Sequence, residues 1–133
     1  ETTPSFRNFH ISNVYCNGAE KGIFLRGVPE MHVKDIVLEN MVLQADKGID
    51  VQEASNITFR NIKVISKETN PVVDVIQSDN LVFDNITYKE GAELLFRISG
   101  DRSKDIKVKN TDASKAKEKA SFELGAEAKV MNN

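Results

Sequence analysis

Five short segments of this chain share one pattern: apolar, any, apolar, any, Asn, then a residue that is usually apolar. They are Phe9-His10-Ile11-Ser12-Asn13-Val14, Ile36-Val37-Leu38-Glu39-Asn40-Met41, Ile57-Thr58-Phe59-Arg60-Asn61-Ile62, Leu81-Val82-Phe83-Asp84-Asn85-Ile86 and Ile106-Lys107-Val108-Lys109-Asn110-Thr111. The asparagines recur at intervals of 27, 21, 24 and 25 residues. A unit this small cannot bury its own apolar face, so repeated units must stack on one another.

Within each unit the alternation has period two, the mark of half-buried strands. A second short strand follows each Asn, at 14–16, 41–43, 62–64, 86–88 and 111–113. A third follows at 23–25, 49–51, 73–75, 96–98 and 122–124. Three strands of roughly 3.3 Å per residue wrap one turn, and stacked turns lie about 4.8 Å apart. The predicted fold is all-β: a right-handed parallel β-helix of about five coils, one segment over 1–133. Residues 111–133 form the last coil and a polar cap. An α/β solenoid would need a helical period in every repeat. Only 113–121 is helix-prone, and a loop or short helix is expected there.

The residues just before each Asn test the register. Ser12, Glu39, Arg60, Asp84 and Lys109 alternate in sign from the second onward, as stacked partners should. The Asn column itself suits sharp corners, because Asn tolerates the left-handed backbone conformation. Its amide both donates and accepts, so copies can bond along the axis as an asparagine ladder. A row of ligand-binding amides is the functional alternative to that structural role. Asn56-Ile57-Thr58 and Asn85-Ile86-Thr87 match the glycosylation sequon. Asn85 is expected to face inward with the ladder and so to be closed to modification.

Composition narrows the partners. The net charge of -2 leaves no basic footprint for nucleic acid. Apolar runs are too short to span a membrane. The lone Cys16 excludes an internal disulfide, and its inward strand position suits a small core residue. With His10 and His32 it has no metal-ligand spacing, so neither a metal nor a cofactor is expected. The chain opens Glu1-Thr2-Thr3-Pro4, without an initiator Met or a signal peptide, and is expected to be a piece of a longer protein.

The coil sequence Gly22-Ile23-Phe24-Leu25-Arg26-Gly27-Val28-Pro29-Glu30, with Gly48-Ile49-Asp50-Val51-Gln52-Glu53-Ala54-Ser55-Asn56-Ile57-Thr58-Phe59-Arg60-Asn61-Ile62, resembles that of polygalacturonases. These are the pectin-cleaving enzymes of glycoside hydrolase family 28, and bacterial members are most similar. The resemblance covers nearly the whole chain. Its coil order and Gly-x-Pro-Glu turn match the C-terminal part of such an enzyme. It implies inverting hydrolysis of α-1,4-linked galacturonate by aspartates, a polysaccharide partner (pectin or oligogalacturonate) and a secreted or periplasmic parent protein.

The family's aspartates lie in Asn-Thr-Asp, Asp-Asp, Gly-His-Gly and Arg-Ile-Lys motifs. The first immediately precedes a Gly-Ile-Asp-Ile strand. Here Lys47 precedes Gly48-Ile49-Asp50-Val51, Lys21 precedes Gly22-Ile23, and Pro71-Val72 stand where further aspartates would recur. The segment is therefore expected to lack the catalytic aspartates and to be inactive alone. Its expected role is to extend and cap the helix and to form one wall of the groove. A non-catalytic carbohydrate-binding or assembly module is the competing function. A lyase is disfavoured, because the calcium-binding acidic clusters usual in that family are missing.

Candidate substrate-binding residues are Lys21 and Lys47, whose charge would steer anionic sugars. Asp50 and Asp74 are expected on neighbouring coils about 5 Å apart, a spacing that suits a retaining glycosidase better than an inverting one. With Arg97 and Glu123 in the same column, Arg97 is expected to pair with both Asp74 and Glu123. The column then reads as a solvated charge ladder. Finally, Phe6, Phe9, Ile11, Val14 and Ile23 are expected to lie open on the first coil and to favour end-to-end self-association, with a twofold dimer as one form of it.

Overall fold

The computed structural model describes residues 9–132. Nine strands follow in order: β1 (Phe9–Arg26), β2 (Val33–Gln52), β3 (Ala54–Ser66), β4 (Val73–Ile76), β5 (Asp79–Tyr88), β6 (Ala92–Ser99), β7 (Lys104–Lys109), β8 (Ala116–Glu123) and β9 (Met131–Asn132). They pair in parallel, each with the strand one coil away. This is the right-handed parallel β-helix of about five coils.

The stacking follows the repeat. Phe9, Ile36, Ile57, Leu81 and Ile106 are successive partners on the first face. Asp50 is registered with Asp74, and Asp74 with Arg97, on the third. Inward residues fill the solenoid. Phe59, Phe83 and Phe96 are fully enclosed. Phe59 and Phe83 stack at 4.6 Å between ring centroids, and Phe83 meets Phe96 edge-on at 5.2 Å. Such aromatic pairs add about 0.5–1.5 kcal/mol each beyond the area they bury. Gly48 marks a close approach: a Cβ there would stand 2.4 Å from the Val72 carbonyl oxygen.

The five asparagines all have positive φ, between 49° and 59°. Side-chain amides run from Asn85 to Asn61 (2.9 Å) and from Asn61 to Asn40 (3.2 Å). Asn110 turns instead to the Asp84 carboxylate at 2.8 Å. The ladder is solvent-exposed, which corrects the inward placing of Asn85. The left-handed residue bends the chain, so Ile62 rather than Asn61 takes the next inward place. Both sequon asparagines, Asn56 and Asn85, are exposed.

A second left-handed column precedes the first strand of each of the four later coils: Asp35, Asn56, Asn80 and Asp105, with φ of 60°, 56°, 53° and 54°. Asn56 bonds Asp35 at 2.6 Å, and Asn80 bonds Asn56 at 3.3 Å. Inside the same corner, Ser78 and Ser103 are buried and accept the amides of Ala54 and Ser78. Their hydroxyls satisfy backbone groups that the corner takes out of the strand ladder.

The last coil departs from expectation in three ways. Residues 111–113 are not a strand. Thr111 Oγ1 receives the Ile86 amide, and Asp112 caps a single 3-10 turn, Ala113–Lys115. Most of 113–121 is strand β8 rather than loop or helix, because the open edge of β6 offers a backbone partner that outweighs Lys and Ala propensity. The register of β8 lies two residues from the expected one: Phe122 pairs with Ile98, and Ser121 with Arg97. Glu123 therefore leaves the Asp50–Asp74–Arg97 column. Ala116, Ala120, Phe122 and Met131 pack over the core at this end. On the first coil Phe9, Ile11, Val14 and Phe24 are exposed, but Ile23 is buried in the core cluster, against expectation. Phe6 lies outside the described residues.

Candidate functional site

The third face carries an outward column of Phe24, Asp50, Asp74, Arg97 and Ser121, one residue per coil. Lys21 and Lys47 are register partners at its entrance. They differ in state. Lys21 Nζ lies 3.0 Å from Asp50 Oδ2 and 3.9 Å from the Phe24 ring centroid. Its charge is therefore already engaged by a carboxylate and an aromatic face. Lys47 is exposed and has no carboxylate within ion-pair range among the described residues.

Beside Lys47 lies a cleft of about 180 Å³, lined by Asp50, Glu68, Asn70, Asp74 and Arg97. Asp50 is held from two sides, by Lys21 and by the Gln52 amide at 3.2 Å. Asp74, one coil on, accepts no hydrogen bond among the described residues, and its Oδ1 is shut off from solvent. Burial pushes its carboxyl above the usual range. Arg97 pulls the other way, while Asp50 and Glu123 add to the rise. The expected ion pairs of Arg97 with Asp74 and Glu123 do not form. The guanidinium instead donates to the Asn70 carbonyl at 3.0 Å, because the loop before β4 brings that oxygen within reach. The column and its entrance are thus not a fully paired ladder: they hold one clamped carboxylate, one orphaned carboxylate and two cations, Arg97 and Lys47, without carboxylate partners among the described residues.

The first face supplies the contrast. His10 Nε2 lies 2.6 Å from Glu39, and Arg60 reaches Glu39 at 3.2 Å and Asp84 at 3.7 Å. Of the alternating column found in the sequence, Glu39, Arg60 and Asp84 form an ion-pair ladder there, and Asp84 is met on its far side by the Asn110 amide rather than by Lys109.

A third cluster was not visible in the sequence. His32 lies between Ser55 Oγ (2.7 Å) and Glu53 Oε2 (3.0 Å), which resembles a hydrolytic Ser-His-Glu set. But Ser55 Oγ donates to Asp79 Oδ1 at 2.6 Å, so the histidine is not positioned to take the hydroxyl proton. Arg102 grips Glu53 with two bonds of 2.7 and 3.0 Å and, with His32, holds its carboxyl below the usual range. Chain separations of 21 to 49 residues hid the cluster. It clamps the corner across coils.

The letters Asn-Thr-Asp do occur, at Asn110-Thr111-Asp112, but not before a Gly-Ile strand. Asp112 accepts from the amide and hydroxyl of Ser114, which lower its carboxyl. It is a turn cap rather than a proton donor. A roomier hollow of about 380 Å³, lined by Asn17, Asp46, Lys67 and Lys89 among others, has Lys67 paired with Asp46 at 3.4 Å. Cys16 is half-buried against the core. Among the described residues no group of three or more His, Cys, Asp or Glu could hold a metal ion. No family model, no curated protein and no solved structure matches the chain.

Proposed function

We propose that this chain is a C-terminal β-helix segment of a polygalacturonase-like pectin hydrolase, forming one wall of the saccharide groove and supplying no catalytic aspartate. The observation that carries this is the third face: a polar cleft and the unpaired Lys47 sit where the resembled coils present their substrate side. Lys47 steers the anionic chain, and the engaged Lys21 orders Asp50 and Phe24 beside it. A linear polymer suits a face whose side chains repeat every coil.

Lys47→Ala, in the enzyme carrying this segment, is expected to weaken binding of long oligogalacturonates several-fold. Short ones, which do not reach the segment, should be unaffected. Equal affinities for both lengths before and after substitution would sink the assignment. The 133-residue chain alone is expected to release no reducing ends from polygalacturonate. A non-catalytic binding module shares that inactivity, and is separated from this proposal by whether the gene encodes the family's aspartate motifs upstream of Glu1.

A further inference from the structure

The cleft beside Lys47 has a charge pattern that an acidic sugar does not match. Three carboxylates, from Asp50, Glu68 and Asp74, line it against two cations, Lys47 and Arg97. Lys21 neutralises Asp50 but leaves the other two carboxylates facing any incoming anion. What Asp74 lacks within the cleft is a protein hydrogen-bond donor. Asp74 accepts nothing: its Oδ1 is buried without a partner, which costs about 1–3 kcal/mol, and no described side chain or backbone group donates to its other oxygen either. Native structures seldom tolerate that without a reason. Donors in excess are present too, because Arg97 spends one of its five N–H groups on Asn70, and Lys47 spends none on a carboxylate. A ligand that both donates and accepts at neighbouring atoms, without a charge of its own, would satisfy both sides at once. Adjacent sugar hydroxyls do this.

We infer that the cleft formed by Lys47, Asp50, Glu68, Asn70, Asp74 and Arg97 is a subsite for an uncharged sugar unit, with the carboxylate oxygen of Asp74 that is not shut off from solvent accepting from one ring hydroxyl and Arg97 or Lys47 donating to its neighbour. The inference rests on taking this face as a glycan groove, and it adds a specificity: a neutral unit is bound here, next to the acidic chain that Lys47 attracts. Its volume of about 180 Å³ suits one ring rather than a longer piece. Asp74 is the specificity-determining residue, because its carboxylate rewards a hydroxyl and repels a second carboxylate. Lys21 serves as a positioning residue, keeping Asp50 from occupying the donor space.

The test uses two monosaccharides that differ only at the sixth carbon: methyl α-D-galactopyranoside, which is neutral, and methyl α-D-galactopyranosiduronate, which is charged. Each is titrated into the whole chain while amide and side-chain resonances are followed by NMR. The neutral sugar is expected to shift Asp74, Asn70 and Arg97, with an affinity at least about tenfold above that of the uronate, roughly 1.4 kcal/mol. Asp74→Asn is expected to lose most of that difference while remaining folded by the same spectra, because an amide neither repels the uronate nor accepts as strongly. Tighter binding of the uronate at these residues overturns the inference, as does a galactoside response unchanged by Asp74→Asn. Absence of both responses also overturns it. If oligogalacturonates still bind the chain elsewhere in those cases, the polygalacturonase-like assignment stands without this subsite.

Discussion

Two outward columns run along this solenoid under the same geometric rule and end in opposite states. On the first face, Glu39, Arg60 and Asp84 form a chain of opposite charges across neighbouring coils, and His10 bonds Glu39 from the coil before. On the third face, Asp50 and Asp74 are like charges in adjacent register positions, and the cation that follows them bonds a backbone carbonyl instead. Stacking fixes which residues meet but does not require that they suit each other. Where they do, the column is scaffold. Where they do not, the mismatch marks a place at which stability was given up, as binding sites commonly require.

The largest effect expected on this comparison comes from beneath both columns. Phe83 lies inside the first face and meets Phe96 inside the third. Phe83→Ala should cost about 3–5 kcal/mol in urea unfolding and loosen both faces together. A loss confined to one face by hydrogen exchange would show that the columns rest on separate cores.

The next effect separates the columns. Asp74→Asn should stabilise the unliganded chain by about 1 kcal/mol at neutral pH, a figure kept low because the side chain is only partly buried. The sign depends on pH. A carboxyl raised above its ordinary value costs stability as pH climbs past that value and through the folded one. The advantage of Asp74→Asn should therefore fade below about pH 4, where the wild-type group is neutral in both states. Glu53 runs the other way. Its lowered carboxyl contributes above its ordinary value and is lost as pH falls through the folded one. Melting temperatures of the two proteins from pH 3 to 7 would check this; a gap that does not narrow on acidification would contradict the account of Asp74.

Arg60→Ala should have the smallest effect, since its pairs are exposed. The loss should be detectable at low ionic strength and gone near 1 M salt, where charges are screened within about 3 Å. A loss that persists in high salt would mean the arginine acts through its packed stem rather than its charge.

Much of the scaffold could be read from the residues. The Asn interval located five left-handed corners, and the alternating residues before them forecast the ion-pair ladder. The second corner column was harder to see, because Asp35 and Asp105 share it with Asn56 and Asn80 and no single residue type fills it. The site was less legible. Lys21 and Lys47 were found as neighbours, but their equal chemistry concealed that one is engaged and the other is not. The His32–Glu53–Arg102 clamp left no local trace, since its members come from three coils.

By itself the sequence determined the solenoid, most of its inward residues and its axial register through most of the chain, because period-two alternation and a left-handed Asn are local properties that repeat. Only the tertiary structure decided the register of the last coil, where the open edge of β6 selected Ala120 and Ser121 as partners for Phe96 and Arg97. It alone also decided that Asp74 is left without a donor while Asp50 is clamped. Those outcomes depend on where a loop carbonyl and a lysine from other coils come to rest, and on how far burial removes water from one carboxylate and not from the other.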